Sequence, residues 1–249
     1  MTDKHSGVPQ YRKVGLVGGM GPLSTMPYYQ GIVYGVRAKT RDDFFPDLTI
    51  ESVNVFEILD MCGREDYDAV TMRLCRAIEN LAKTGCEFAV LTANTSHIVF
   101  DRLKECSPIP LLSIVESTSR EALRRSYGKI ALLGTEFTMK GDFYKKPFVE
   151  KGIEIVVPNE PEMALVDTRI REELELGIIK ESTLCEFRAI LERMKAESGI
   201  QAVVLGCTEL PLLLDVGNSP VPCLNTVEIH VADIVECILG IDGHGDING

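Results

Sequence analysis

The chain has 249 residues, 45% hydrophobic and 25% charged, which is enough to bury a full core without metals or disulfides. Its formal net charge of −11 argues against nucleic acid or an anionic membrane as partner, though one cationic pocket could still admit an anionic substrate. No apolar run approaches the roughly 20 residues that span a bilayer, and the segment from Met1 to Lys13 lacks the apolar stretch of a signal peptide and reads as a disordered lead-in. The eight cysteines form no Cys-x-x-Cys pair, so no metal site is expected and reduced thiols in the cytoplasm are the default expectation.

In chain order, Val14–Val17 reads as a buried strand and Thr25–Ala38 as a helix. Leu48–Val53 is a strand, Ala69–Lys83 a helix, Phe88–Thr92 a strand and Thr95–Lys104 a helix. Pro110–Ile114 then reads as a strand and Glu116–Arg125 as a helix, and the rhythm restarts at Lys129. Short apolar strands alternating with helices predict parallel sheets covered on both faces.

The chain also repeats itself. Lys13–Met20 (KVGLVGGM) resembles Lys129–Glu136 (KIALLGTE), and Ala89–Thr95 (AVLTANT) resembles Val203–Glu209 (VVLGCTE). The distance from Lys13 to Ala93 nearly equals that from Lys129 to Cys207, about one small domain in each half. This predicts an α/β fold of two pseudo-symmetric, Rossmann-like lobes. The first is expected to hold residues 1–113 plus a returning C-terminal segment, 224–249, with a helix over Val227–Leu239. The second is expected to hold residues 114–223. Ligands of open parallel sheets bind beyond the carboxyl ends of the strands. Gly18–Met20, Ala93–Thr95, Thr135 and Cys207–Glu209 all fall at such ends and are expected to line one cleft.

Three segments there have residue types suited to chemistry. Gly18-Gly19-Met20-Gly21-Pro22 allows a tight turn whose N–H groups could meet an anion, or is a turn only. Cys207, among small polar neighbours at a strand end, would ionise more easily at a helix start, or is structural. Asn94-Thr95-Ser96-His97 could contact a ligand. Its plainer reading is a helix cap followed by a satisfied structural histidine.

Taken together, Gly-Gly-Met-Gly-Pro, Asn-Thr-x-His, Leu133-Gly134-Thr135, Ile170-Arg171-Glu172-Glu173-Leu174 and Gly-Cys-Thr-Glu resemble the aspartate/glutamate racemase superfamily, from about Lys13 to Leu239. The resemblance implies a homodimer that racemises aspartate and/or glutamate without a cofactor, exchanging the α-proton between acid/base groups on opposite faces of the substrate. It makes Cys207 one of these groups. It makes Met20, Asn94, Thr95, Thr135 and Thr208 candidates for binding a small amino acid or dicarboxylate.

Two positions depart from the pattern. The first catalytic cysteine of most members is here Ala93, which carries no proton; the sequence fits a natural alanine and an inactivating substitution equally. Cys86 lies about 20 Å upstream on an extended strand and cannot replace it. The usual lysine for a distal carboxylate falls near Leu165, leaving Arg169 and Arg64 as candidate cations. A single-cysteine decarboxylase, a cis-trans isomerase of the same superfamily and a non-catalytic ligand-binding relative are the alternatives.

Overall fold

The computed structural model describes residues 11–40 and 44–241. Most of the expected lead-in, residues 1–10, lies outside the described residues, as do residues 242–249 of the expected returning segment. The first half runs β1 (Val14–Gly18), α1 (Pro22–Lys39), β2 (Leu48–Ser52), α2 (Val55–Gly63), α3 (Tyr67–Lys83) and β3 (Phe88–Leu91). A 3-10 turn over Thr95–Val99 leads into α4 (Phe100–Cys106), then β4 (Leu111–Leu112) and α5 (Ile114–Arg124). The second half runs β5 (Lys129–Leu133), α6 (Glu136–Lys140), α7 (Asp142–Val149), β6 (Glu154–Val156), α8 (Glu160–Glu172) and α9 (Glu181–Ser198). It ends with β7 (Ala202–Leu205), β8 (Cys223–Asn225) and α10 (Thr226–Leu239).

Each half builds one four-stranded parallel sheet, ordered β2-β1-β3-β4 and β6-β5-β7-β8. The identical order is the structural counterpart of the sequence repeat. Register brings the central strands to a common end: Val17 lies opposite Leu91, and Leu133 opposite Leu205. The turns after β1, β3, β5 and β7 therefore emerge side by side in each sheet. The continuous apolar runs are required because both faces are covered. Val14 and Leu16 pack in the large cluster that includes Tyr28, Ile32 and the second sheet, while Val17 and Leu91 pack with Leu74, Ile78 and Leu81 of α3. Each fully buried Leu or Ile contributes about 1.5–3 kcal/mol.

The last helix joins the halves. Asn225 caps α10 by accepting from the Val227 and Glu228 N–H groups. α10 then packs on α1 and α5. Small residues set its approach to α1: a Cβ on Gly31 would lie 2.8 Å from Val231, and one on Gly35 would lie 2.8 Å from Val235. Buried hydrogen bonds tie the seam, with the Tyr28 hydroxyl 2.9 Å from His230 Nδ1 and His230 Nε2 3.1 Å from the Leu112 carbonyl.

Four local features differ from the sequence reading. α2 has no counterpart among the expected elements, although Asn54 caps it by accepting from the Phe56 N–H, ahead of an apolar stripe of Val55, Ile58, Leu59 and Cys62. The expected helix over Thr95–Lys104 begins as a 3-10 turn and becomes α-helical at Phe100. The expected strand Pro110–Ile114 narrows to two residues because the Ser113 hydroxyl caps α5, accepting from the Glu116 N–H. Cys75 on α3 and Cys106 at the end of α4 form a disulfide, with Cα atoms 6.4 Å apart, which corrects the expectation of eight reduced thiols. Among the described residues no helix is long and apolar enough to cross a membrane.

Candidate active site

A cavity of about 570 Å³ opens at the carboxyl ends of the strands. Met20, Gly21 and Ala93–Ser96 reach it from the first half, and Thr135 and Gly206–Glu209 from the second. The structure thus brings together Cys207, Ala93, Met20, Asn94, Thr95, Thr135 and Thr208. Helix α2 forms a side wall through Val55, Phe56, Ile58, Leu59 and Cys62, and Phe137, Arg171, Glu175 and Leu176 complete the rim.

Cys207 follows β7 directly. Its thiol donates to Glu209 Oε2 at 2.9 Å, and the Thr208 hydroxyl donates to the same oxygen at 2.8 Å. Burial, and then the adjacent Glu209 charge, push the thiol well above the ordinary cysteine range. The expectation of an easily ionised thiol at a helix start is therefore corrected. Only a 3-10 turn over Leu210–Leu212 follows, so no α-helix dipole offsets the loss of solvation. Cys207 thus keeps its proton and donates it to Glu209.

Ala93 stands at the matching place after β3. Its carbonyl accepts from the Ser96 hydroxyl at 2.8 Å and from His97 Nδ1 at 3.0 Å. His97 Nε2 accepts from the Ile114 N–H at 3.3 Å, and its ring stacks on Phe100 at 4.8 Å. Burial lowers the His97 pKa to about 4, so the ring is a neutral strut that fixes the Ala93 turn. Thr92 points away from the cavity, its hydroxyl bonding to the Val17 carbonyl at 3.2 Å. Cys86 is buried in the α3-side core, apart from the cavity lining.

Several candidate contacts are already committed. The Asn94 side chain donates to Thr226 Oγ1 at 3.3 Å and accepts from the Tyr144 hydroxyl at 3.2 Å, so its amide is an internal strut. The Gly19 N–H, a candidate anion donor, bonds to Thr25 Oγ1 at 3.0 Å. The Thr135 hydroxyl caps α6. The candidate cations Arg64 and Arg169 do not reach the cavity. Arg64 is exposed beside Asp60, and Arg169 grips Glu186 with two nitrogens and Glu173 with a third. Arg171 lines the rim instead. Two residues along a helix is roughly a half-turn, so with Arg169 facing α9, Arg171 faces the other way. Helical phase was the sequence signal that could have found it.

The sequence from residue 17 to residue 234 matches the family model for Asp/Glu/hydantoin racemases. This chain belongs to the Asp/Glu/hydantoin racemase family. The broad specificity amino-acid racemase RacX of Bacillus subtilis is 25% identical over 221 residues, covering 86% of this chain and 92% of RacX. A candidate Asp/Glu racemase from Yersinia pestis superposes with a TM-score of 0.86 at 33% identity, covering 92% of this chain and 99% of that one. PH1733 of Pyrococcus horikoshii, an aspartate racemase homologue, superposes with a TM-score of 0.80 at 36% identity, covering 90% and 98%. Family membership supports an isomerase acting on amino acids, and the two four-stranded parallel sheets are the fold of these racemase structures.

Proposed function

We propose that the protein exchanges the α-proton of an amino acid at one face through Cys207, with Glu209 as the group that relays the thiol proton, and that the opposite face, beside Ala93, lacks a protein base. The observation that carries this reading is the cavity shared by Cys207 and Ala93, which stand at equivalent strand ends of the two lobes. On this reading the described residues up to 113 with α10 form one lobe, and residues 114–225, which include β8 of the second sheet, form the other. The relatives named above bring amino acids, aspartate and glutamate among them, as the substrate class. A carbanion-like intermediate would be stabilised by N–H and hydroxyl donors at the turns around Thr95 and Thr208. Incubation of each enantiomer in deuterated water tests the reading. Rapid α-deuteration of one enantiomer with slow inversion is expected. Fast racemisation from both enantiomers would contradict a one-sided site.

The neutral thiol favours one second reading. A protonated Cys207 opposite an alanine suits one-face protonation of the carbanion left by a decarboxylated malonate-type acid. Release of carbon dioxide from such acids, without exchange of any amino acid, would select it.

A further inference from the structure

We propose that this site prefers amino acids with an uncharged, apolar side chain over the dicarboxylic amino acids. The proposal rests on the proton-exchange reading of the same cavity and names its substrate class.

The first support is the side wall. Phe56 and Leu59 of α2 line the cavity yet are 77% and 49% exposed, and Leu176 on the rim is 68% exposed. Large apolar side chains left in water at a cavity mouth gain by covering an apolar group.

The second support is the charge inventory. The charged residues lining the cavity are Arg171, Glu175 and Glu209. Arg171 Nε already donates to Asp167 at 2.7 Å, and Glu175 and Glu136 also act on this guanidinium. Every amino acid brings an α-ammonium and an α-carboxylate. One guanidinium and two carboxylates can serve that zwitterionic head. Arg171 is the one cation among the described lining residues, so a second substrate carboxylate would have to share it with Asp167 and would meet Glu175 and Glu209 as like charges. Arg64 and Arg169, the other arginines considered for it, are paired elsewhere. Burial, and then the Glu209 charge, also raise the Glu175 pKa, in keeping with an acidic environment.

The test uses the full chain. Leu, Met, Lys, Asp and Glu, each as both enantiomers, are compared by α-deuteration in deuterated water and, separately, by calorimetric binding. In the enantiomer that exchanges, we expect kcat/KM to be at least about tenfold higher for Leu and Met than for Asp and Glu, with binding in the same order. Equal or better use of Asp or Glu would overturn the proposal, as would a preference for Lys, which would assign the carboxylates to a cationic side chain. If no amino acid exchanges but the binding order holds, the exchange reading fails and the preference stands. Binding of none of them overturns both. Leu59→Arg, at a half-exposed position where a long polar chain can reach solvent, should raise the Asp to Leu ratio about tenfold with an unchanged melting temperature. An unchanged ratio in the folded variant would remove the α2 wall as the side-chain subsite.

Discussion

The thiol of Cys207 donates to the carboxylate of Glu209, with Sγ 2.9 Å from Oε2, and the two groups share one half-buried corner of the cavity. After burial, the charge of Glu209 is the largest influence raising the thiol pKa. The carboxylate favours the proton on sulfur and, on the proposed reading, accepts it when the thiol acts as a base. Glu209→Gln separates these effects. Iodoacetamide labelling of Cys207, followed by peptide mass spectrometry, should shift to lower pH, since each unit of lowered pKa gives about tenfold more thiolate below it. Exchange of the α-proton should fall by about 10²-fold as the relay is lost. Labelling that does not change would remove Glu209 as the group restraining the thiol.

Ala93→Cys places a second thiol at the matching strand end. Inversion should rise by about 10²–10⁴-fold, the usual worth of a positioned acid/base. Cys207→Ser in the same background should abolish the gain, because inversion needs a proton carrier on each face. Circular dichroism of the amino acid product reads the result directly.

Two buried histidines make the fold acid-sensitive. Burial lowers His97 to about 4, while burial together with the nearby His97 lowers His230 to about 3. Both fall below the unfolded value near 6.5. A group whose folded pKa is depressed contributes stability that is fully present above its unfolded pKa and is lost as pH falls through the folded value. Stability should therefore decline from pH 6.5 towards 4, by up to about 1.4 kcal/mol per pH unit for each histidine. Denaturant unfolding across that range should show the slope, and His230→Gln should flatten it by roughly half. A flat profile above pH 5 would contradict the assignment.

Asn94 links the lobes through Tyr144 and Thr226, and Thr226 in turn bonds to the Leu205 carbonyl at 3.0 Å. Asn94→Ala strands the buried Tyr144 hydroxyl and should cost about 1–3 kcal/mol, lowering the melting temperature by several degrees. Tyr144→Phe should cost less, about 0.5–1.5 kcal/mol, because Asn94 keeps its bond to Thr226. In the double variant the costs should fall short of the sum, as expected for residues in one network.

The repeat at Lys13 and Lys129 was legible because buried parallel strands need uninterrupted apolar runs, and the turn chemistry after them shows in single letters. Cys207, Ala93 and their neighbouring threonines were legible for the same reason: strand ends fix where ligands meet an open sheet. α2 was missed because nine residues carry too little periodicity to stand out, even with Asn54 capping them. The fate of Arg64 and Arg169 was not legible, because a cation's availability depends on the acids that folding places beside it. For Arg169 these are Glu173 and Glu186, one of them on another helix.

The sequence by itself determined the two α/β halves, their order and which strand-end turns line one cavity, since local patterning of apolar and small residues dictates strands, turns and their exposed ends. Tertiary structure alone decided the working state of that site. Packing sets the half-buried Cys207 against Glu209 and favours its proton on sulfur, spends the amide of Asn94 and the hydroxyl of Thr135 on internal bonds, and turns Arg171 rather than Arg169 to the cavity. Solvation and charge are properties of surroundings, and residues distant in sequence supply those surroundings only when the chain has folded.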